Sequence, residues 1–321
     1  MRAVVFDKSL RIDADHPAPR PRVGECLIRV RLAGICATDL AILNGYMGFR
    51  GVPGHEMVGL VESGPPEWLH RRVAAEINCV CCVCDMCRRG LSNHCRDRSV
   101  IGLLGRDGCF AEYVAVPVRN LHAVPDSISD EEAVFIEPLA AAYQVLAQIP
   151  IESRMNVSVI GPGRLGLLVA QVLKATACRL TVVGRNERKL QLCEKFSIQP
   201  LHVRDLSPKA DRDVVIDCTG HPEGLALAMQ LVRPRGTIVL KSTHADDKCM
   251  ALNLAPIVVN ELTLLGSRCG PFSEAIAALA RRAVDVLPMI TRTFPLDEAR
   301  AAFAAAADPE HVKVLLRIGN R

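Results

Sequence analysis

No stretch of this sequence is apolar for long enough to span a bilayer. Its start, Met1-Arg2-Ala3-Val4-Val5-Phe6-Asp7, is interrupted by polar residues and lacks the apolar core of a signal peptide. Basic residues never gather into a run. The 39 Lys and Arg stand scattered against 35 Asp and Glu, for a net charge of +4, which describes a solvated surface and not a nucleic-acid footprint. Internal repeats, low-complexity tracts and long linkers are also missing. These absences exclude nucleic acid and membrane as expected partners and predict a cytoplasmic protein. Half of the 321 residues are hydrophobic and 23% are charged, which is globular composition on a chain long enough for two domains.

What the chain has in excess is cysteine, 14 in all. In a cytosolic protein that points to metal or catalytic use before disulfides. Cys81-x-x-Cys84-x-x-Cys87 is followed by Cys95. Four thiolates at this spacing wrap one Zn²⁺ tetrahedrally with no open position, a closed site that holds a loop and does no chemistry. Starting the register at Cys79 gives poorer spacing, and His94 reads as a surface residue.

Residues 1–130 read as β-rich. Cys26-Leu27-Ile28-Arg29-Val30-Arg31-Leu32 alternates as a half-buried strand does, and residues 57–62 form another. Near Glu131 the texture changes: residues 131–147 predict one Ala-rich helix with acidic residues at its start. Strands then alternate with helices, at 157–160, 180–183, 214–217 and 237–240, with a helix over 165–175. This rhythm predicts a parallel, doubly wound sheet. The last stretch adds a helix over 296–307 and a strand over 312–318, which could close either domain.

Gly161-Pro162-Gly163-Arg164-Leu165-Gly166 fits the dinucleotide fingerprint, and here it follows a strand and opens a helix, the context that gives the pattern weight. Its glycines allow a tight turn, backbone approach to a pyrophosphate and close helix packing. An NAD site usually carries Asp or Glu at the end of the next strand, to bind the ribose 2′-hydroxyl. This chain has Gly184-Arg185-Asn186 there. Arg185 could pair with a 2′-phosphate that a carboxylate would repel, which favours NADP over NAD. Thr219 and Lys241 follow two further strands and, with Arg268, are candidates for lining the nicotinamide half; an ordinary structural turn explains each equally well.

Cys36 in Gly-Ile-Cys-Ala-Thr-Asp, His55 in Gly-His-Glu and Glu137 in Glu-Pro-Leu lie far apart, and spacing alone does not link them. Taken with the cysteine lobe, Gly108-Cys109-Phe110-Ala111-Glu112-Tyr113 and the glycine fingerprint, they stand in the order seen in zinc-containing medium-chain dehydrogenases. The chain resembles that superfamily over nearly its whole length, and most of all the sorbitol and threonine dehydrogenase branch. The resemblance implies a GroES-like catalytic domain (1–135, zinc lobe 79–95), a Rossmann domain (136–284) and a C-terminal segment (285–321) that returns to the catalytic domain. It implies Cys36, His55 and Glu137 as ligands of a catalytic zinc beside the structural one, Glu56 beside the metal, and Thr38 as proton acceptor. It also implies hydride transfer between an alcohol and NAD(P), with a small alcohol or carbonyl substrate, in a homodimer or homotetramer. Three features depart from the family: Cys82 where the lobe usually has glycine, Ala41 where a relay histidine is common, and a compressed 64–73 segment. A zinc-free quinone or enoyl reductase of the same fold and a non-catalytic nucleotide-binding protein are the alternatives.

Overall fold

The computed structural model of the chain describes residues 1–243 and 253–319. They form two compact units, one of Met1–Glu137, Ala275–Ala280 and Ile290–Arg321, the other of Pro138–Glu274 and Arg281–Met289.

The first unit is built on a seven-stranded sheet whose long central strand is Glu25–Gly34. Its apolar positions Cys26, Ile28, Val30 and Leu32 turn inward and the residues between them outward, as period-two patterning requires. This strand pairs antiparallel with Glu56–Ser63, Tyr113–Pro117 and Lys313–Arg317. The C-terminal strand is therefore part of this sheet, with Leu315 opposite Gly34. The core beneath it closes on Phe110 and Phe303, whose rings meet edge to face at 5.8 Å.

The second unit carries a six-stranded parallel sheet in the order Gln199–His202, Arg179–Gly184, Asn156–Ile160, Arg212–Asp217, Val232–Leu240, Thr263–Gly266. The chain starts in the middle, winds to one edge, then returns and winds to the other. This is the doubly wound order, and ligands bind where its direction reverses, outside the carboxyl ends of the strands. The buried runs Val157–Val159 and Val214–Ile216 are what a sheet covered on both faces needs. Among the described residues no helix is long and apolar enough to cross a membrane.

The helix expected over 131–147 is two helices, Asp130–Ala133 and Ile136–Gln148. Ser129 caps the first in a reciprocal box with Glu132. Pro138 explains the break: it has no N–H to bond back to residue 134, so it belongs in a first turn and not in a helix interior. The break buries Phe135 and places Glu137 in the opening turn of the second helix.

Candidate functional site

The cysteine lobe comes together as its spacing implies. The sulfurs of Cys81, Cys84, Cys87 and Cys95 lie within 4.8 Å of one another. Cys84 stands at the N-terminal boundary of the short helix Asp85–Arg88, and Arg96 clasps Asp85 with two bonds of 2.6 and 2.8 Å, which ties the lobe's ends together. Backbone N–H groups of Arg96 and Cys87 draw the Cys84 thiol down to about 6, whereas burial and neighbouring thiols push Cys87 up to about 12. Such a cluster ionises together only around a cation, so the donor set fits zinc. Cys82 holds a φ of +64°, the left-handed region that glycine adopts at lower cost, and its sulfur meets the Arg119 guanidinium. His94 is exposed.

A second cluster forms from residues that no spacing rule links. Ligand atoms of Cys36, His55 and Glu56 also lie within 4.8 Å of one another. Cys36 precedes the helix Ala37–Leu43, and its N–H donates to Asp39 Oδ2 at 2.7 Å. His55 follows Gly54, whose φ of +98° only glycine adopts freely and whose missing Cβ leaves room for the Phe110 ring. The Gly108-Cys109-Phe110 segment braces this turn: Gly108 N–H donates to the Val52 carbonyl, and Cys109 N–H to that of Gly54.

Asp39 is fully buried, and its Oδ1 lies 3.5 Å from His55 Nδ1; neither atom has a hydrogen-bond partner. With Nδ1 turned to Asp39, Nε2 is the nitrogen left for a metal, and the carboxylate sets the ring's orientation. Burial works against charge on His55, but Asp39, Cys36 and Glu137 outweigh it and hold its pKa well above the ordinary value. Glu137 is thus near enough to act on His55, although it stands outside the tight three-atom cluster. Sulfur, nitrogen and oxygen donors meeting beside two unsatisfied buried atoms are a donor set that suits zinc. Thr38 Oγ1 lies 3.8 Å from Cys36 Sγ.

Glu56 has a buried partner: its Oε2 pairs with Lys313 Nζ, both side chains almost fully buried. The ammonium also lies 5.6 Å from the centroid of the Phe135 ring. Gly34 makes the pair possible, because a Cβ there would sit 2.6 Å from both Glu56 Oε2 and Lys313 Cε. Sequence reasoning singled out neither Asp39 nor Lys313. The only signal for Lys313 was one lysine inside an apolar run, Val312 to Ile318.

In the second unit the fingerprint turn lies between Asn156–Ile160 and the helix Arg164–Lys174. Gly161 has a φ of +92°. A Cβ on Gly166 would meet the Gly161 carbonyl at 1.9 Å, so the helix packs as close as glycine permits. Around Gly163 there is open space, and no side chain caps the helix it precedes, which leaves N–H groups for an anion. These features fit a dinucleotide pyrophosphate. Arg164 and Leu165 open the helix, and Arg185 is exposed at the end of Arg179–Gly184. Thr219 bonds Asp217 Oδ1 through its N–H and hydroxyl, at 2.9 and 2.7 Å. Lys241 donates to Ser267 Oγ and the Arg268 carbonyl, tying neighbouring strand ends, and the Arg268 side chain is exposed. Of the aromatic residues near these motifs, Phe49 packs with Phe6 and Ile42, and Trp68 lies under Arg71.

Two family descriptions match most of the chain: the alcohol dehydrogenase GroES-like domain over residues 22–126 and the zinc-binding dehydrogenase over residues 165–284. A sorbitol dehydrogenase of Halalkalibacterium halodurans is 27% identical over 94% of each chain. A zinc-binding dehydrogenase structure from Sinorhizobium meliloti 1021 bound to NADP superposes with a TM-score of 0.88 at 27% identity, over 98% of each chain. A structure described as a short chain alcohol dehydrogenase from Escherichia coli CFT073, complexed with NADH, gives 0.89 at 27% identity, over 99% of each. Two family matches in the expected order, on a fold with both clusters of metal-ligand side chains and the glycine turn, lead to one assignment: the chain belongs to the zinc-dependent medium-chain dehydrogenase/reductase superfamily and is an oxidoreductase.

Proposed function

We propose that the protein interconverts a secondary alcohol, polyol or amino alcohol and its carbonyl product, with NADP as hydride carrier and two zinc ions per chain. The observation that carries this reading is the meeting of a partly buried Cys36 with buried His55 and Glu56, with the free face of His55 set by Asp39. Cys36, His55 and Glu137 are the assigned ligands, which leaves a fourth position open to substrate. Glu56 stands beside them with its charge already offset by Lys313. When bound, zinc lowers the pKa of a substrate hydroxyl, and the nicotinamide accepts hydride, chemistry no side chain supplies. The chain's own residues orient the donors and move the proton. Thr38 takes up the hydroxyl proton. Ala41, three residues on and on the same helix face, has no group to receive it, so water carries it away.

The lobe is the structural site. Cys95→Ser is expected to lower the melting temperature by about 5 °C or more in a thermal melt. An unchanged melt would mean the four thiols hold nothing.

The NADP preference rests on Arg185. Arg185→Asp replaces a cation facing the 2′-phosphate with a like charge. It should cut the NADPH-to-NADH affinity ratio by about 100-fold, measured by nucleotide fluorescence titration. An unchanged ratio would remove Arg185 as discriminator.

The protein is further assigned as a homodimer or homotetramer. Among the described residues, Thr263–Gly266 is an edge strand with its outer side unpaired, and Leu254, Val258 and Val259, shortly before it in the chain, are 59%, 75% and 78% exposed. An open edge together with bare apolar side chains favours pairing with a second copy. Val258→Asp combined with Val259→Asp should yield a monomer by light scattering; an unchanged mass would place the interface elsewhere.

A further inference from the structure

Gly184 ends the strand Arg179–Gly184, the place where an NAD site carries its ribose-binding carboxylate. Its backbone needs no glycine, for its φ is not in the left-handed region. The constraint is space. A Cβ at 184 would lie 2.5 Å from both Cδ and Cγ of Pro162, and 3.3 Å from Leu190 Cδ2. Pro162 is buried, and its ring is tied to the backbone of the fingerprint turn, so it has no rotamer through which to move aside. The turn itself is fixed on this strand by the bond from Gly161 N–H to the Val183 carbonyl, 2.9 Å.

Among the described residues, the acids in the flanking loops are already engaged: Glu187 and Asp205 both pair with Arg204, at 2.9 and 3.8 Å. His202, opposite Gly184 in the neighbouring strand, accepts the Arg204 N–H at Nδ1 and donates from Nε2 to the Arg185 carbonyl, 3.1 and 3.0 Å. It joins the two loops that flank the position and fixes the peptide carrying Arg185.

We infer that Pro162 is a specificity-determining residue: by filling the volume above Gly184 it excludes a strand-end carboxylate and leaves discrimination of the ribose 2′-substituent to Arg185. This rests on the NADP reading above, and it adds that the fingerprint's second residue and the strand end are coupled. Gly184 cannot then take an NAD-type carboxylate while Pro162 stays in place.

The test compares wild type, Gly184→Asp, Pro162→Ala and the double variant, with NADPH and NADH dissociation constants from fluorescence titration and melting temperatures of the full chain. Gly184→Asp alone should lower the melting temperature and weaken both cofactors by about tenfold or more, since Pro162 must be displaced. Pro162→Ala alone should keep the wild-type preference. The double variant should regain the melting temperature and prefer NADH by about tenfold or more. Gly184→Asp inverting the preference with no loss of melting temperature, or a double variant no better than that single one, would overturn the inference. A wild type that binds NADH more tightly would sink the NADP reading alone. The melting temperatures of Gly184→Asp with and without Pro162→Ala would still decide whether Pro162 excludes the side chain.

Discussion

Cys36→Ser should bring the zinc content from two ions per chain to one and lower turnover by about a thousandfold or more, because a Lewis acid at the reacting oxygen contributes several kcal/mol. The fold should survive. Cys36 is only partly buried, and its backbone contact to Asp39 is made by the N–H and not the sulfur. Metal analysis and circular dichroism on the same sample check both parts. Glu137→Gln belongs in the same experiment. As an assigned ligand it should also lose the catalytic zinc, whereas Glu56→Gln should keep it and bind it about 10- to 100-fold more weakly, as loss of a supporting group does. The reverse ranking would move the third ligand to Glu56, which the tight cluster already places next to Cys36 and His55. One zinc in wild type and Cys36→Ser alike would leave only the lobe and favour zinc-free reductase chemistry.

Lys313→Met should destabilise the first unit by about 3–5 kcal/mol, because it leaves the Glu56 carboxylate buried without its counter-charge. Both partners are almost fully buried, at 1% and 2% side-chain exposure, so solvent does little to screen the loss. Adding Glu56→Gln should restore most of that stability, since replacing both members of a buried pair by neutral groups costs far less than removing one. Urea unfolding of the two variants makes the comparison. A double variant as unstable as Lys313→Met would mean that the lysine matters through packing against Phe135 and Gly34 and not through charge.

Much of this protein is legible in its order of residues because the relevant physics is local. The cysteine lobe lies within 15 residues, from Cys81 to Cys95, and one loop can wrap one ion, so spacing alone announces it. The glycine turn is local as well: Gly161 needs its left-handed backbone and Gly166 its bare Cα whatever the rest of the chain does. The alternation of apolar strands and helices from residue 156 onward carries the doubly wound sheet for the same reason, since each strand must be covered on both faces. The helix break at residues 134–135 was also local, but the Ala-rich pattern on either side hid the meaning of Pro138.

The proposed reaction centre is different. Cys36 and His55 meet because Gly34 and Glu56 are partners across two antiparallel strands, and register is set by burial over the whole sheet. Lys313 reaches Glu56 across 257 residues, because the C-terminal strand pairs with the other side of Glu25–Gly34. Pro162 and Gly184 likewise touch through parallel pairing and helix packing, which no spacing encodes. By itself, then, the sequence determined the cysteine lobe, the glycine turn and the family, whose motifs are each held within one loop or one strand end. Only the tertiary structure decided which charges share the buried site, because a charge can stay inside a protein only beside its partner, and the partners here come from strands at opposite ends of the chain.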